Sequence, residues 1–188
     1  MESADTEKDG LALVRAGTLR SNTTIRGEAV CKSTTEGMLI FCIGGRTVDD
    51  PAKRRRELLL VDDNHGDARL LAECLRALPF PYYLSIVTDG EAALAFLQRQ
   101  APYSKAPTPD LILLDIYPLK TSGWEVLEWL RVAPALASIP VVMWGGTVGP
   151  CDEQERDRLQ PTQCLVKPTS LEGYQRLAEL IEKLMSQK

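Results

Sequence analysis

Short apolar runs alternate with helical patterns from residue 57 to the end of the chain. Each run is too short for a buried helix and suits a strand covered on both faces, because such strands do not need polar residues at alternate positions. The predicted strands are LLLV, YYLSIVT, DLILLD, IPVVMW and QCLVK. Their alternation with five helical segments predicts an α/β fold, in which helices cover both faces of a five-stranded parallel sheet.

Two of the predicted helices have a clear apolar side. The first covers DARLLAECLRAL and begins at a cap supplied by Asn64 or Asp67. The residues that fall on one side of this helix are Leu70, Cys74, Leu75 and Leu78. The last helix covers LEGYQRLAELIEKLM, and its apolar stripe consists of Leu177, Leu180, Ile181 and Leu184. By contrast, TVGPCDEQERDRLQPT has a helical composition in its middle but few apolar residues to anchor it.

Residues 1–56 differ from the rest of the chain, since they are rich in Thr, Gly and charge and show no sustained period. We interpret them as a largely disordered N-terminal extension to a domain that spans residues 57–188. A packed strand within MLIFCIGG is the alternative, although its flanks offer no recognisable partner. A start codon at Met38 is a further hypothesis, which the intact mass of the native protein would settle.

The composition is that of a soluble globular protein, since 44% of the 188 residues are hydrophobic and 26% are charged. A net charge of −4 argues against general binding to nucleic acid or to anionic membranes. We interpret the basic run at residues 53–56 as solvated linker. The five cysteines are far apart and include no C-x-x-C pair, which favours free thiols and a cytoplasmic location.

Acidic residues end two of the predicted strands. Asp62 and Asp63 follow the first strand, and Asp115 ends the third. Ligands of such sheets bind beyond the carboxyl ends of the strands, so we expect these carboxylates to converge with Gly145 and Lys167, which end the fourth and fifth strands. Three clustered carboxylates are tolerable when a hard dication neutralises them, and Mg²⁺ fits this donor set. With Lys167 as a mobile cation, the site suits transfer of an oxyanion onto a carboxylate.

Each of these residues also has an ordinary interpretation. Asp62, Asp63 and Asn64 suit a turn between a strand and a helix, and Asp115 alone suits another turn. A single lysine needs no special explanation, because lysine is common on surfaces. The placement of all of them at the ends of strands in one predicted sheet is what favours a functional site.

Five segments resemble the receiver domain of two-component response regulators, namely LLLVDDN, VTDGEAALAFL, PDLILLDIYPLKTSGWEVL, IPVV and CLVKP. The resemblance covers residues 57–188 and implies a flavodoxin-like receiver fold. Its spacing is specific, since thirty residues separate Asp115 from Gly145 and twenty-two separate Gly145 from Lys167. DNHGDARLLAE and the loop near SKAPTP are further similar to single-domain regulators associated with bacterial and cyanobacterial phytochrome kinases.

The resemblance implies that Asp115 accepts a phosphoryl group by in-line transfer from a phosphohistidine of a sensor histidine kinase. It implies that Mg²⁺ is held by Asp63 and Asp115, by Asp62 mainly through water, and by the backbone carbonyl of Tyr117. Lys167 would pair with the phosphoryl group. Slow hydrolysis of the acyl phosphate would reset the protein. The Tyr117 side chain, two positions after the acceptor, is placed to shield that bond, and a solvated loop aromatic is the alternative interpretation.

The partners implied by the resemblance are a sensor histidine kinase, of the phytochrome type in the finer comparison, and an unidentified downstream protein. We expect output by protein contact, with no nucleic acid or membrane involved, and the oligomeric state, including a homodimer, is left open. The alternative interpretation of the acidic site is an enzyme, because some phosphohydrolases use an aspartyl nucleophile within the motif D-x-D-x-T/V. Here Tyr117 occupies the place of the second Asp, so we expect no turnover of small phosphate esters.

The chain departs from the family pattern at the positions that relay phosphorylation. Gly145 stands where the family has a Ser or Thr hydroxyl, Cys164 stands where it often has an aromatic switch residue, and Pro118 lies one position earlier than the usual proline. Gly145 and Gly146 could still offer backbone N–H donors to a phosphoryl oxygen. We therefore do not expect conventional switching, and a pseudo-receiver, which binds its partner regardless of phosphate, is the alternative function.

Overall fold

The computed structural model describes residues 55–118, 120–146 and 153–186, and it describes the backbone pairing of residues 30–33 and 39–42. Seven strands of these described residues form one sheet, in the order β1-β2-β4-β3-β5-β6-β7. They are β1 (Val30–Ser33), β2 (Leu39–Cys42), β3 (Arg56–Val61), β4 (Tyr82–Val87), β5 (Leu111–Asp115), β6 (Val141–Gly145) and β7 (Gln163–Val166).

The five strands from β3 onward are parallel, as the sequence predicted. The chain passes from β3 to β4 on one side and then crosses to β5 on the other side of β3, so the strand order reverses between β3 and β5. Val61 pairs with Leu114 in this register. The residues that follow these two positions, Asp62 and Asp115, therefore emerge side by side at the carboxyl edge of the sheet.

Helices cover both faces of the sheet, which confirms the predicted fold class. They are α1 (His65–Leu75), α2 (Gly90–Leu97), α3 (Gly123–Val132), α4 (Glu153–Leu159) and α5 (Leu171–Ser186). One apolar core includes residues of α1 and α5, and the other includes residues of α2, α3 and α4. Successive residues of β3 alternate between them, since Leu58 and Leu60 face the first core while Leu59 and Val61 face the second.

The apolar sides predicted for the two helices are largely confirmed. In α5, Leu177 and Ile181 are buried, and the two other stripe residues pack half-buried against the same core. In α1, Asn64 is the cap, because its side chain accepts a hydrogen bond from the N–H of Gly66 at 2.9 Å. The prediction for Leu70 is wrong: it is 44% exposed, because the buried side of α1 lies one residue further on, at Leu71.

Part of the N-terminal segment pairs with the sheet. β2 pairs antiparallel with β4 on one side and with β1 on the other. The alternative of a packed strand is therefore correct for residues 39–42, whose two partners are β4 and the preceding strand β1. Residues 1–29, 34–38 and 43–54 lie outside the described residues, so disorder in this segment stays a prediction. The interpretation of the basic run at residues 53–56 as solvated linker is wrong for Arg56, which begins β3 and pairs with Tyr82 of β4.

A single arginine compensates for the few apolar anchors of α4. Among the described residues of this helix only Leu159 is buried. The guanidinium of Arg131, on α3, donates hydrogen bonds to the backbone carbonyls of Leu159, Ala137 and Gln160 at 2.9, 3.0 and 3.1 Å. The C-terminal end of α4 is thus held to α3 largely by polar contacts.

None of the helices in the described part of the chain has the length and apolar character that crossing a membrane requires.

Candidate functional site

The structure brings Asp62, Asp63 and Asp115 together at the carboxyl edge of the sheet. One oxygen of each carboxylate lies within 4.8 Å of an oxygen of the others. Asp62 and Asp115 are buried, with exposed fractions of 0% and 5%, whereas Asp63 is exposed to solvent. Asp63 is therefore the member of the cluster that solvent reaches most freely.

Backbone turns orient the two buried carboxylates in the same way. The Oδ1 atom of Asp62 accepts a hydrogen bond from the N–H of Asn64 at 2.8 Å. The Oδ1 atom of Asp115 accepts one from the N–H of Tyr117 at 3.0 Å. Such bonds to the N–H two residues ahead are typical of Asx turns. Each turn fixes one oxygen and directs the other, Oδ2, toward Lys167.

Lys167 lies between three carboxylates. Its Nζ atom is 2.6 Å from Oδ2 of Asp115, 2.8 Å from Oδ2 of Asp62 and 3.3 Å from Oδ2 of Asp67. Its backbone N–H donates to the carbonyl of Gly145 at 2.8 Å, which continues the pairing of β6 and β7 and fixes the start of the side chain. The ammonium is thus aimed at the acidic cluster from the last strand of the sheet.

Asp67 was not predicted as part of the site. It lies in the first turn of α1, where sequence analysis considered it only as a cap. The available signal was its place in the first turn of the helix that follows the acidic pair, because that turn begins at the carboxyl edge of the sheet. A carboxylate four positions after the acidic pair therefore points to the same edge of the sheet.

Burial shifts the electrostatics of this cluster. Desolvation raises the pKa of Asp62 to about 6, against the opposing effects of the neighbouring Lys167 ammonium and of the hydrogen bond from the N–H of Asn64. Desolvation would lower the pKa of Lys167, but the hydrogen bond to Asp115 and the ion pair with Asp62 outweigh it and raise the pKa above its ordinary value. Lys167 is therefore a permanent cation at neutral pH, and one ammonium faces more than one carboxylate.

The donor set fits a divalent cation. Oδ2 of Asp62 is buried and, within the described part of the chain, has no hydrogen-bond partner of acceptable geometry, although the Lys167 ammonium lies 2.8 Å away as an ion pair. The ammonium therefore attracts this oxygen by charge but leaves one of its lone pairs unused. Clustered carboxylate oxygens with a free lone pair are the ligands that Mg²⁺ and Mn²⁺ prefer. The part expected of the Tyr117 carbonyl stays a prediction.

The end of β5 is held in place by close packing against α3. The N–H of Gly123 donates to the carbonyl of Ile116 at 3.0 Å. A Cβ atom on Gly123 would lie 2.1 Å from the backbone oxygen of Asp115, so only glycine allows the helix to begin this close to the strand. Ser122 and Glu125 complete a capping box at this helix start.

A cleft of about 520 Å³ opens above the carboxylates. Its walls include Asp115, Lys167, Asp67, Gly146 and Tyr117. The side chain of Tyr117 is 72% exposed at the rim. A small anion such as a phosphoryl group could therefore reach Asp115 from solvent without any change in the sheet.

Gly145 and Cys164, which replace the usual switch residues of the family pattern, lie on neighbouring strands. Gly145 is the buried last residue of β6, and Gly146 follows it with open space, since nothing lies within 4 Å of where its Cβ would be. Cys164 is half-buried on β7, opposite Met143 of β6. Neither position supplies the hydroxyl or the aromatic ring of the usual relay.

The prediction of free thiols is correct for Cys74 and wrong for Cys164, which is disulfide-bonded to a cysteine whose side chain lies outside the described residues. The reason is that spacing along the chain does not report which cysteines the fold brings within bonding distance.

Comparisons with known proteins place this site in a family, although no family model matches the chain. The chain is 42% identical to response regulator Rcp1 of Synechocystis sp. over 96 residues, which are 51% of this chain and 65% of Rcp1. It is similar to the solved structure of the phosphorylated cyanobacterial phytochrome response regulator RcpA, with 32% identity, a TM-score of 0.66, and coverage of 71% of this chain and 95% of that one. The chain belongs to the response regulators.

A second solved structure supports the same assignment and bears on the metal. The Mn²⁺-bound form of response regulator Rcp1 is 36% identical, with a TM-score of 0.63, and the match covers 68% of this chain and 92% of that one. The segment aligned with the curated Rcp1 sequence spans just under two thirds of that relative's length. As a receiver, this chain has the acidic pair, the strand-end aspartate and the lysine in one place, and it lacks the usual relay side chains.

Proposed function

We propose that this receiver accepts a phosphoryl group on Asp115 from a sensor histidine kinase and signals by protein contact. The observation that carries the proposal is the position of Asp115, whose Oδ2 atom lies 2.6 Å from the Lys167 ammonium beside two further carboxylates. Because the N–H of Tyr117 holds the other oxygen, Oδ2 is the atom that faces an incoming phosphorus.

In the proposed reaction, Oδ2 of Asp115 attacks the phosphorus of the donor. The bond from phosphorus to the histidine nitrogen of the kinase breaks, and its electron pair stays on that nitrogen, so the product is an acyl phosphate on Asp115. Lys167 offsets the charge of the transferred group, because its raised pKa keeps the ammonium protonated. Asp62 and Asp63 would hold a divalent cation, which when bound would offset further negative charge on the transferred group.

We propose Mg²⁺ as that cation and a phytochrome-type kinase as the donor. The all-oxygen donor set suits Mg²⁺, and the structure of Mn²⁺-bound Rcp1 supports a divalent ion in a close relative. RcpA is described as a phytochrome response regulator in a phosphorylated state, which supports both the donor class and the acceptor chemistry. A cytoplasmic setting belongs to the same proposal.

The test is phosphorylation with acetyl phosphate and Mg²⁺, read on a phosphate-affinity gel. We expect a retarded band for the wild-type protein and none for Asp115→Ala. Asp110→Asn is a matched control, because Asp110 is also a buried carboxylate but lies just before β5, at the opposite end of the strand. This variant should give the retarded band. A retarded band that persists in Asp115→Ala, or none in the wild type, would overturn the proposal.

The pseudo-receiver is the second candidate, and it is favoured by Gly145 and Cys164 at the two relay positions. In that case the wild-type protein gives no retarded band, although it folds and binds its partner. The phosphohydrolase alternative is tested with p-nitrophenyl phosphate. We expect no turnover, because Tyr117 stands where such enzymes have a second aspartate.

A further inference from the structure

A buried tyrosine of α5 contacts the candidate site through a single carboxylate. The hydroxyl of Tyr174, in the first turn of α5, donates a hydrogen bond to Oδ1 of Asp67 at 2.7 Å. Tyr174 is only 2% exposed. Asp67 lies in the first turn of α1, so this bond joins the N-terminal ends of two helices that are 107 residues apart along the chain.

The other oxygen of the same carboxylate faces the site. Oδ2 of Asp67 lies 3.3 Å from Nζ of Lys167, whose ammonium contacts Asp115 at 2.6 Å. The side chain of Asp67 is 18% exposed, and that of Lys167 is 14% exposed, so solvent screens this contact only partly. A continuous line of polar contacts therefore runs from Asp115 through Lys167 and Asp67 to Tyr174.

Packing alone does not explain the hydroxyl of Tyr174. The ring lies in the apolar core between the sheet, α1 and α5, together with Trp144 and Leu71, and a phenylalanine ring would fill the same space. A buried hydroxyl is costly unless it is hydrogen-bonded, and a bond to a carboxylate is stronger than one between neutral groups. Burial, followed by the hydrogen bond to Asp67, raises the pKa of Tyr174, so the phenol stays protonated and remains a donor.

We propose that Tyr174 and Asp67 form a positioning pair, in which Asp67 holds the Lys167 ammonium from the side of α1 and Tyr174 couples occupancy of the cleft to α5. The inference rests on the proposed function. Lys167 already faces three carboxylates, and its contact with Asp67 is the longest of the three. When a phosphoryl oxygen enters and attracts the ammonium, this contact is the first to lengthen.

The consequence reaches α5 because Asp67 has two partners. Once Lys167 moves toward the phosphoryl group, the carboxylate of Asp67 depends more strongly on the Tyr174 hydroxyl, and the first turn of α5 adjusts to follow it. Gly145 and Cys164 provide neither a hydroxyl nor an aromatic ring for the usual relay. The positioning pair supplies a different polar connection between the cleft and an outer helix.

The test compares backbone amide spectra of the full chain with and without beryllofluoride and Mg²⁺, a combination that mimics an aspartyl phosphate. In the wild type we expect shifts around the cleft and in the first turn of α5. In Tyr174→Phe we expect the cleft shifts to remain and the α5 shifts to be lost. Asp67→Asn is the second variant, because it keeps an acceptor oxygen for the hydroxyl but loses the charge toward Lys167. It should also lose the α5 shifts.

Tyr82→Phe is the matched control. Tyr82 is also 2% exposed and lies in the same apolar core, but its hydroxyl has no hydrogen-bond partner among the described residues. This variant should behave like the wild type. The inference is overturned if Tyr174→Phe keeps the α5 shifts as Tyr82→Phe does. An absence of cleft shifts in the wild type itself would instead remove the proposed function, and this inference with it.

Discussion

The ammonium of Lys167 lies over the indole ring of Trp144, with Nζ 5.0 Å from the ring centroid. Trp144 is fully buried on β6, in register with Asp115 of β5. A cation at this distance from an indole face is attracted by its electrons. The electronic environment of the Trp144 ring therefore depends on the position of the Lys167 ammonium.

We expect the fluorescence of Trp144 to report occupancy of the cleft. In a background of Trp124→Phe and Trp129→Phe, addition of beryllofluoride and Mg²⁺ should change its emission, because the ammonium moves from the ring toward the bound anion. Lys167→Met should abolish the change. An unchanged emission, under conditions where amide spectra show that the cleft is occupied, would contradict the expected movement of Lys167.

Divalent metal should stabilise the folded protein through Asp63. At a metal concentration ten times the Kd, the free energy of unfolding should rise by about 1.4 kcal/mol, because the folded state alone binds the ion. Asp63→Asn should lose most of this gain in thermal or urea unfolding with Mg²⁺ or Mn²⁺. Asp157→Asn is the control, since it removes an exposed carboxylate of α4. An equal gain in all three proteins would argue against the proposed metal site.

Without metal, stability should depend on pH through Asp62. Its pKa is about 6 in the folded state against 3.8 ordinarily, so the folded protein holds a proton that the unfolded chain has released between these values. Stability therefore falls as pH rises from about 4 to about 6, by roughly 3 kcal/mol in total. Above pH 6 this contribution no longer changes.

Urea unfolding in a chelator, over a series of pH values, measures the effect. Asp62→Asn cannot titrate at this position, so the difference between the variant and the wild type should grow up to about pH 6 and then stay constant. Parallel pH profiles for the two proteins would show that Asp62 titrates normally.

Gly123→Ala should destabilise the fold and displace Asp115. The added methyl group would lie 2.1 Å from the backbone oxygen of Asp115, and overpacking of this kind costs about 1–3 kcal/mol. Phosphorylation by acetyl phosphate should slow in the same variant. Gly146→Ala adds a methyl group to open space and should leave the free energy of unfolding nearly unchanged. Equal effects of the two substitutions would contradict this account of the packing.

The phosphorylated protein should lose its phosphoryl group slowly, because Tyr117 stands at the rim of the cleft beside Asp115. Tyr117→Ala should shorten the half-life of the acyl phosphate several-fold, whereas Tyr117→Phe should preserve it, since the ring and not the hydroxyl excludes water. The half-life is measured by loss of the retarded band in Mg²⁺ buffer. A wild-type half-life of seconds would refute the shielding role.

The convergence of Asp62, Asp115 and Lys167 was predictable because each follows an apolar run, and the geometry of parallel sheets brings such positions to one edge. The start of α1 was predictable to within two candidates, since Asn64 and Asp67 are both good caps. The buried side of that helix was harder to predict. Ala68 and Ala72 share it with Leu71, and small residues carry little weight in a pattern of apolar positions.

Other features depend on contacts that no local pattern reports. The hydrogen bond from Tyr174 to Asp67 joins two helices that are distant in the chain. In the sequence, a tyrosine beside an apolar stripe predicts only a core residue. β2 pairs with β4 because β4 is the edge strand of the parallel part of the sheet. The order of the strands determines which strand lies at that edge, and no local pattern in the sequence reports this order. The disulfide of Cys164 was missed for a similar reason.

The unequal exposure of Asp62 and Asp63 has a consequence for how an ion would come and go. One carboxylate of the pair is enclosed by the protein, while its immediate neighbour in the chain stands in water. A hydrated cation would therefore bind first to the outer carboxylate and would lose its waters stepwise as it approached the inner one. The rate of metal exchange would then be set by how fast the ion loses its waters, and the domain would not need to open.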